Sequence, residues 1–249
     1  MDALRCEDLR KSFGGVNAVA GVTLVFPTSG ISAIIGPNGA GKTTLLNVLT
    51  GFLRAETGRC ILGAREITHM APHRIARLGV SRTFQDLRLI QQVSLFDNVM
   101  TASPNQRGER LLLALTRIGV KQEETHNAER VMELLRFVGL AEKAQEPACE
   151  LSYGQQKLLA LAVCLATQAR LLLLDEPVAG VAPEMVKQIV GLLRQLRDAG
   201  NAIVFIEHDI EVVRQTDEWV IVMDEGKVIA QGPALDVLER PEIMEAYLG

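Results

Sequence analysis

The sequence predicts an α/β domain built around a mostly parallel β-sheet. Apolar runs typical of buried strands alternate with helical segments along the 249 residues, and this alternation indicates parallel strands joined through helices. A glycine-rich loop at 36–44 stands between one apolar run and a helix, and four consecutive leucines at 171–174 indicate a strand buried on both faces. Ligands of such sheets bind outside the carboxyl ends of the strands, so we expect the site there.

The composition argues against nucleic-acid binding, disulfide-rich and zinc proteins. With 26 basic and 30 acidic residues the formal charge is −4, so no global electrostatic attraction to nucleic acid or to an anionic membrane is expected. The 48% hydrophobic content is enough for a sizeable core. The four cysteines, at 6, 60, 149 and 164, are widely spaced and form no C-x-x-C pair, which favours reduced thiols in the cytoplasm.

The uncharged stretch 12–41 is not a membrane span, because it contains seven glycines together with Pro27 and Pro37. It is interpreted as two strands and a loop. The first residues do not resemble a signal peptide. Any role at a membrane must therefore involve a partner that spans it.

The N-terminal region is predicted to hold strands at 4–9 and 22–26, with a loop at 11–15 between them. Phe13 lies beside two glycines in that loop, where its ring would be exposed. The alternative is that the ring packs in the core. Near a nucleotide, an exposed ring would stack on the base and contribute roughly 1–3 kcal/mol.

The loop 36–44 fits the pattern Gly-x4-Gly-Lys-[Ser/Thr], with a strand predicted before it at 31–35 and a helix after it at 43–50. Backbone N–H groups and the positive end of the helix favour a phosphate chain at such a loop. Lys42 is expected to hold the β- and γ-phosphates, and the Thr43 hydroxyl to join the shell of a Mg²⁺ ion. The loop therefore predicts a nucleoside triphosphate site.

The middle of the chain is predicted to add further elements to the α/β core and then to form a helical insertion. The predicted elements are a strand at 59–62, a helix at 72–78 and a strand at 80–84, followed at once by Gln85. Beyond this point a helical insertion is expected as far as about 150. Its clearest helix carries one apolar stripe at 131, 134, 135 and 138.

The last third returns to alternating strands and helices. Leu151-Ser-Tyr-Gly-Gln-Gln156 opens a helix to 167, and Ser152 is either its N-cap or, with the free N–H groups there, a phosphate ligand. The strand 171–174 ends at Asp175 and Glu176, two carboxylates that need partners if buried. The remaining predictions are a helix over 186–196, a strand at 202–206 ending at Glu207-His208-Asp209, strands at 219–223 and 227–231, and helices from 233 and 241.

These motifs together resemble the nucleotide-binding subunits of ABC transporters over essentially the whole chain, and six elements follow the order of that family. Phe13 resembles its adenine-stacking aromatic, 36–44 its Walker A loop and Gln85 its Q-loop. Residues 151–156 resemble its signature, 171–176 its Walker B strand and His208 its switch histidine. The signature, the segment 82–86 and the ending 245–249 are most similar to subunits of branched-chain amino-acid importers.

The resemblance implies a P-loop NTPase core with a mostly parallel sheet, an N-terminal antiparallel portion and a helical subdomain. The single domain would span 4–248, with the core at 1–85 and 158–232, the helical subdomain at 86–157 and a short helical tail at 233–249. It implies an ATPase that uses ATP and Mg²⁺. The nucleotide contacts would be Phe13, Gly36, Pro37, Asn38, Gly39, Ala40, Gly41, Lys42, Thr43, Thr44, Ser152, Gly154 and Gln155.

The implied chemistry is metal-assisted attack by water on the γ-phosphate. Thr43, Gln85 and Asp175 would serve the metal, with Asp175 acting through water. Glu176 would be the general base, while His208, Lys42 and Gln85 complete the catalytic set.

The resemblance also implies partners and a location. A second ATP-binding subunit, a copy of this chain or a sibling, would complete the site with its own Ser152 and Gly154. Integral-membrane permease subunits, and through them a periplasmic or extracellular solute-binding protein, would place the chain on the cytoplasmic face of the membrane. No nucleic acid is expected.

Two positions depart from the family pattern, and two alternative functions stay open. The signature usually has glycine where this chain has Tyr153, and the loop after Walker B usually has aspartate or asparagine where it has Ala182. The alternatives are an ATPase for lipid or lipopolysaccharide export and a DNA-associated ABC ATPase. The latter usually carries long coiled-coil insertions or zinc-binding cysteines, and this sequence shows neither.

Overall fold

A computed structural model describes residues 4–104, 120–216, 218–241 and 243. The chain divides into two compact units. The first comprises Met1–Arg82, Arg170–Ala179 and Pro183–Gly249, and the second Thr83–Ala169 and Gly180–Ala182. The predicted domain boundaries stay a prediction.

The first unit contains all the named strands, and its elements alternate as the sequence predicts. The strands are β1 (Leu4–Phe13), β2 (Val16–Phe26), β3 (Gly30–Ile35), β4 (Thr57–Leu62), β5 (Arg65–Glu66), β6 (Val80–Arg82), β7 (Leu171–Asp175), β8 (Ala202–Ile206), β9 (Trp219–Asp224) and β10 (Lys227–Pro233). Its helices are α1 (Lys42–Leu49), α2 (Pro72–Ala76), α6 (Pro183–Asp198), α7 (Ile210–Thr216) and α8 (Ala234–Leu238). The second unit holds α3 (Leu95–Met100), α4 (Val120–Phe137) and α5 (Tyr153–Ala166), with 3-10 turns at Ala141–Lys143 and Ala148–Glu150.

The main sheet has six strands in the order β10-β9-β3-β8-β7-β6 and is parallel except for the β9–β10 pair. This confirms the predicted mostly parallel sheet. The register pairs Ile206 with Ile34 on one side and with Asp175 on the other. The carboxyl ends of β3, β7 and β8 therefore lie level at one edge of the sheet, and the loops that follow them meet there.

The second sheet is antiparallel, with the order β2-β1-β4-β5, as expected for the N-terminal portion. The loop predicted at 11–15 is shorter in the structure, since β1 runs to Phe13 and β2 begins at Val16. A two-residue turn at the glycines 14 and 15 is enough to join them, because antiparallel strands can be connected by so short a loop. Phe13 and Val16 thus pair at the end of a hairpin.

The hydrophobic core of the first unit joins residues of both sheets and of α1. Leu171 to Leu174 are all buried, in agreement with the prediction of a strand covered on both faces. In the second unit Val131, Leu135 and Val138 are buried and Leu134 is half-buried. The predicted apolar stripe of α4 is therefore the buried face of that helix.

Several boundaries differ from the predictions, and some elements were not predicted individually. The helix over 72–78 ends at Ala76, and the strand over 80–84 ends at Arg82. The unpredicted elements are β5, α3, α7 and the segment of α4 before its apolar stripe. Helix α8 follows Pro233 as predicted, whereas most of the helix predicted from 241 and the ending 245–249 lie outside the described residues. Within the described ranges no helix combines the length and the apolar character that crossing a membrane requires.

Candidate functional site

The phosphate loop leaves the carboxyl end of β3 and leads into α1, as predicted. A β-carbon at Gly36 would lie 2.1 Å from the carbonyl oxygen of Met223, and one at Gly41 would lie 1.9 Å from that of Ala18. Close approach of the backbone thus requires glycine at both positions. At Gly39, where φ is +87°, a β-carbon would meet nothing within 4 Å. The loop is therefore anchored at its two ends, while its middle faces open space.

The strand β2 and the turn between β9 and β10 support the loop from behind. The Ala20 N–H donates to the Gly226 carbonyl at 2.8 Å, and the Gly226 N–H donates to the Ala40 carbonyl at 3.1 Å. Ala40 is buried, whereas Pro37, Asn38 and Gly39 are exposed. These contacts hold the exposed part of the loop in a defined shape.

Lys42 is a buried cation at the centre of the site. Its Nζ donates to the carbonyls of Gly36 at 2.6 Å and Pro37 at 2.9 Å. Burial lowers the pKa of Lys42, while the charges of Glu176 and Asp175 oppose that shift. The lysine is thus close enough to two carboxylates to interact with them electrostatically. Thr43 is exposed and Thr44 half-buried at the start of α1.

Phe13 is exposed at the end of the β1–β2 hairpin, with 47% of its surface accessible. The ammonium of Lys11 lies 5.1 Å from the centre of its ring. This exposure rules out the alternative that the ring packs in the core. Phe13 ends β1, which pairs with β2, and β2 also supports the phosphate loop. The accessible ring therefore belongs to the same hairpin that supports that loop.

Asp175 ends β7 as a buried carboxylate, and its partner is Arg82 at the end of β6. The Arg82 Nη2 lies 2.9 Å from the Asp175 Oδ2, and both side chains are at most 5% exposed. Arg82 Nη1 also donates to Asn47 Oδ1 at 2.7 Å and to Thr50 Oγ1 at 3.1 Å, both at the end of α1. The need of a buried carboxylate for a partner was predicted, but the identity of Arg82 was not.

Glu176 follows Asp175 in a left-handed backbone conformation, with φ at +49°. This conformation costs roughly 1–2 kcal/mol for a residue other than glycine, so the surroundings must hold it. The Glu176 N–H donates to the Ile206 carbonyl at 3.1 Å, and its side chain is half-buried. The carboxylate thus stands at the edge where β7 and β8 end.

His208 and Glu207 follow β8, and their side chains differ in exposure to solvent. The imidazole of His208 is 58% exposed, whereas the carboxylate of Glu207 is fully buried. Glu207 Oε1 accepts the Val178 N–H at 3.1 Å and Oε2 accepts the His208 N–H at 3.4 Å. Burial raises the pKa of Glu207, although these N–H groups and the charge of His208 oppose the shift. Sequence reasoning assigned no role to Glu207.

The remaining predicted residues belong to the second unit. Gln85 is exposed three residues beyond β6. Ser152 caps α5, since its Oγ accepts the Gln155 N–H at 3.3 Å and the Gln155 side chain accepts the Ser152 N–H at 3.1 Å. This is a capping box, which confirms the predicted N-cap role of Ser152, and its role as a phosphate ligand stays a prediction. Gly154 follows in the first turn, where backbone N–H groups stay available for an anion.

Tyr153, which departs from the family pattern, is also in the second unit. It is 48% exposed, and the ammonium of Lys157 lies 5.3 Å from its ring centre. A β-carbon at Gly180 would lie 3.3 Å from its Cε1 atom. The ring therefore lies against Gly180, in the loop that also contains Ala182.

The described residues contain no group of three or more histidine, cysteine or acidic side chains able to hold a metal ion by themselves. The oxygen donors at the site are the Thr43 hydroxyl and the Asp175 carboxylate. Such hard donors suit Mg²⁺, which is typically bound by one or two carboxylates together with substrate phosphates. The donor set thus fits a metal that arrives with a nucleotide.

Comparisons with known proteins agree with this geometry. The family model described as ABC transporter matches residues 19–179. The chain is 35% identical over 249 residues to the probable branched-chain amino acid transport ATP-binding protein LivG of Archaeoglobus fulgidus, covering 100% of this chain and 96% of that one. It is 36% identical to the high-affinity branched-chain amino acid transport ATP-binding protein BraF of Pseudomonas aeruginosa, covering 99% and 97%. The crystal structure of the ADP conformation of an ATP-binding cassette of an ABC transporter superimposes with a TM-score of 0.85 at 32% identity, covering 100% of this chain and 99% of the other.

Proposed function

The chain belongs to the ABC transporter family, and from that premise we propose that it is the ATP-hydrolysing subunit of an importer for branched-chain amino acids or related amides. As a member of this family it is an ATPase, with the cassette fold of its solved relatives. The transported solute is inferred from the names of the relatives that match over their full length.

The geometry around Lys42 is the main support for nucleotide binding at this place. An anchored glycine loop presents its middle to open space, and a buried lysine stands beside it within range of two carboxylates. The γ-phosphate would replace the loop carbonyls as the partner of Lys42, because an anion is a better acceptor for an ammonium than a neutral oxygen. The exposed ring of Phe13 would stack on the adenine.

Mg²⁺ would be held by Thr43 and Asp175, with Asp175 acting through water, and the family resemblance adds Gln85 to this set. When bound, the metal neutralises charge on the phosphates. Arg82 orients the Asp175 carboxylate at the end of β7 through the 2.9 Å ion pair. The protein therefore supplies a preorganised oxygen donor instead of a complete metal cage.

Glu176 would act as the general base and His208 would contact the γ-phosphate. Phosphoryl transfer depends mainly on positioning and charge neutralisation, so the base needs only to accept a hydrogen bond from a well-placed water. The half-buried side chain of Glu176 stands at the same edge of the sheet as the phosphate loop, and the exposed ring of His208 is accessible to a ligand.

Ser152, Gly154 and Gln155 would complete the site of a second ATP-binding subunit. They are far along the chain from the phosphate loop, at the N-terminus of a helix of 14 residues whose first N–H groups suit a phosphate. Each ATP would then lie between two chains, and closure of the pair would drive the permease subunits.

Lipid or lipopolysaccharide export is the second candidate function, because the ATPases of such exporters have similar endings. Purifying the chain with its membrane subunits and measuring uptake in vesicles distinguishes an importer from a lipid exporter. Leucine or amide uptake that depends on ATP is the expected result. Extraction of lipid without solute uptake would instead establish the exporter.

We expect Glu176→Gln to retain ATP binding and to lower turnover by roughly 10²–10⁴-fold, the usual contribution of a general base. ATP affinity and steady-state hydrolysis are measured on the same purified protein. Glu239→Gln, which changes an exposed glutamate in the same unit, is the matched control and should behave as the unmodified chain. Near-normal hydrolysis by Glu176→Gln would remove Glu176 from this role.

A further inference from the structure

Glu207 is the most deeply buried acidic side chain of the described residues, with 0% of its surface exposed. Burying a carboxylate is unfavourable unless hydrogen bonds compensate for the lost water. An apolar residue would fill the same place at lower cost if packing were the only requirement. The burial of Glu207 therefore indicates a role besides packing. Neither ATP binding nor the proposed chemistry assigns such a role to it.

The two carboxylate oxygens of Glu207 accept hydrogen bonds from two different loops. Oε1 accepts the N–H of Val178, two residues after Glu176, at 3.1 Å. Oε2 accepts the N–H of His208 at 3.4 Å and lies 3.9 Å from the imidazole Nδ1. One carboxylate thus joins the loop that carries the proposed base to the residue proposed to contact the γ-phosphate.

The backbone of Glu207 extends this connection to a third loop. Its N–H donates to the carbonyl of Ile34 at 3.2 Å, two residues before Gly36 and the phosphate loop. Glu176 is held on the same side, because its N–H donates to the carbonyl of Ile206, the residue before Glu207. Glu207, or the residue before it, is consequently hydrogen-bonded to a residue in or near each of the other two loops that meet at this edge of the sheet, and Glu207 itself begins the third.

The conformation of Glu176 makes such an attachment necessary. A glutamate at φ +49° relaxes to an ordinary conformation unless its neighbours hold it. The Glu176 N–H is held by β8, its carbonyl accepts the Ala179 N–H at 3.3 Å, and the turn after it is also held through the Val178 N–H by Glu207. Losing the attachment to Glu207 would let the carboxylate of Glu176 move, and a displacement of about 1 Å is enough to lower a rate by roughly 10²-fold.

We propose that Glu207 is a positioning residue for ATP hydrolysis, which sets Glu176 and His208 relative to one another by accepting the N–H groups of Val178 and His208. This inference rests on the roles proposed above for Glu176 and His208. Because its side chain is 0% exposed, Glu207 would act through these N–H groups and not by contact with the nucleotide. It acts on turnover and leaves nucleotide binding to the phosphate loop and Phe13.

Glu207→Gln tests the proposal with almost no change in shape. The amide oxygen can accept one of the two N–H groups, but the amide nitrogen cannot accept the other. We expect kcat for ATP to fall by roughly 10- to 100-fold, with KM for MgATP changed by less than about threefold because the phosphate loop is intact. An unchanged stoichiometry of ATP binding per chain combined with the lowered kcat is the result that a general loss of structure would not produce.

Thr68→Val is the matched control for loss of a buried hydrogen bond. Thr68 is 3% exposed in the first unit, and its Oγ1 accepts the Cys60 N–H at 2.9 Å, in the antiparallel sheet. We expect it to lower the Tm by a few degrees, about as much as Glu207→Gln, with kcat unchanged. If both variants lose the same fraction of kcat, Glu207 has only a structural role.

A double variant asks whether Glu207 acts partly through His208. In the His208→Ala background, Glu207→Gln should lower kcat less than it does alone, because one of the two groups that it positions is already gone. Independent, multiplicative losses would overturn the coupling of the two loops. Hydrogen exchange of the unmodified chain supplies a readout that needs no variant: the Val178 amide should be protected, and exchange as fast as in an open loop would overturn the proposal.

The outcome for Glu176→Gln separates this inference from the function on which it rests. If that variant hydrolyses ATP normally, the assignment of the base is wrong. If it is inactive while Glu207→Gln keeps its kcat, only the positioning role of Glu207 is wrong.

Discussion

Single residues show how the buried charges of this site are held. Asp175 and Glu207 are both buried carboxylates at the ends of parallel strands, but their partners differ. Asp175 is paired with the guanidinium of Arg82, whereas Glu207 accepts two backbone N–H groups and lies 3.9 Å from the imidazole of His208. The guanidinium orients the Asp175 carboxylate for metal binding, whereas the N–H groups that bind Glu207 tie it to neighbouring loops.

Replacing Arg82 should be strongly destabilising. Arg82→Met removes the guanidinium from the Asp175 carboxylate, which is 2% exposed. Breaking a buried pair from one side costs roughly 3–5 kcal/mol, and urea unfolding of the purified chain measures it. In the double variant Arg82→Met/Asp175→Asn the loss should be smaller, because the buried carboxylate is then replaced by a neutral amide.

Arg10→Met is the surface control for that experiment. Arg10 lies 2.8 Å from Asp8, but both side chains are more than half exposed. An exposed ion pair is worth about 0–1 kcal/mol. Equal losses for Arg10→Met and Arg82→Met would contradict the importance assigned to the buried pair.

At the scale of elements, the phosphate loop combines two kinds of glycine. Gly36 and Gly41 are required by packing, because carbonyl oxygens of neighbouring elements occupy the places of their β-carbons. Gly39 is required only by its backbone conformation, since the space beside it is open. The first two shape the loop, and the third leaves room for a ligand.

Alanine at these positions should therefore have different effects. Gly41→Ala should lower the free energy of unfolding by about 2–5 kcal/mol, the sum of left-handed strain and overpacking. Gly39→Ala should cost only about 1–2 kcal/mol of strain, yet its β-carbon would occupy space in front of the loop and weaken ATP binding. Urea unfolding and ATP titration of both variants check this pair of results. A Gly41→Ala chain as stable as Gly39→Ala would show that the loop tolerates a side chain against Ala18.

Helix α5 is the second element that links structure to function. Ser152 is engaged in the capping box with Gln155, and the same hydroxyl is proposed to bind the phosphate held by a partner. An N-cap is worth about 0.5–2 kcal/mol, so a loss of stability in Ser152→Ala is expected from the cap alone. The two roles are distinguished only in an experiment with two chains.

At the scale of the whole molecule, the predicted contacts with one ATP are divided between two compact units. The phosphate loop, Asp175, Glu176 and His208 belong to the first, and Ser152 and Gly154 to the second. An ATP between two chains would take the first set from one subunit and the second set from the other. A dimer of this kind contains two composite sites related by symmetry.

Mixing two inactive variants tests this composite site. Lys42→Ala damages only the loop side and Ser152→Ala only the signature side, so a mixed dimer keeps one intact site. Each variant alone should be nearly inactive, and an equal mixture should recover up to about a quarter of the unmodified ATPase rate if dimers form at random. Steady-state hydrolysis at high protein concentration measures the recovery.

Lys42→Ala mixed with Asp175→Asn is the control, because both changes damage the same side and no intact site can form. Recovery in this mixture would show that the assay detects something other than complementation. No recovery with Ser152→Ala would contradict a site shared between two copies of this chain.

The sequence predicted long and regular elements well and short or bridging features poorly. The apolar run at 171–174 and the stripe of α4 were recognised because several residues repeat a pattern. The two-residue β5 and the six-residue α3 were missed because segments this short are too short to show a periodic hydrophobic pattern. The predicted loop at 11–15 was too long because two glycines suffice to turn the chain.

By itself, the sequence determined the mostly parallel sheet, the phosphate loop with Lys42 and the membership of the family, because each depends on residues that are neighbours along the chain. Only the tertiary structure decided the partners of the buried carboxylates. Arg82 is 93 residues from Asp175, and Val178 is 29 residues from Glu207. No local pattern relates residues so far apart, since they meet only where parallel strands end at a common edge.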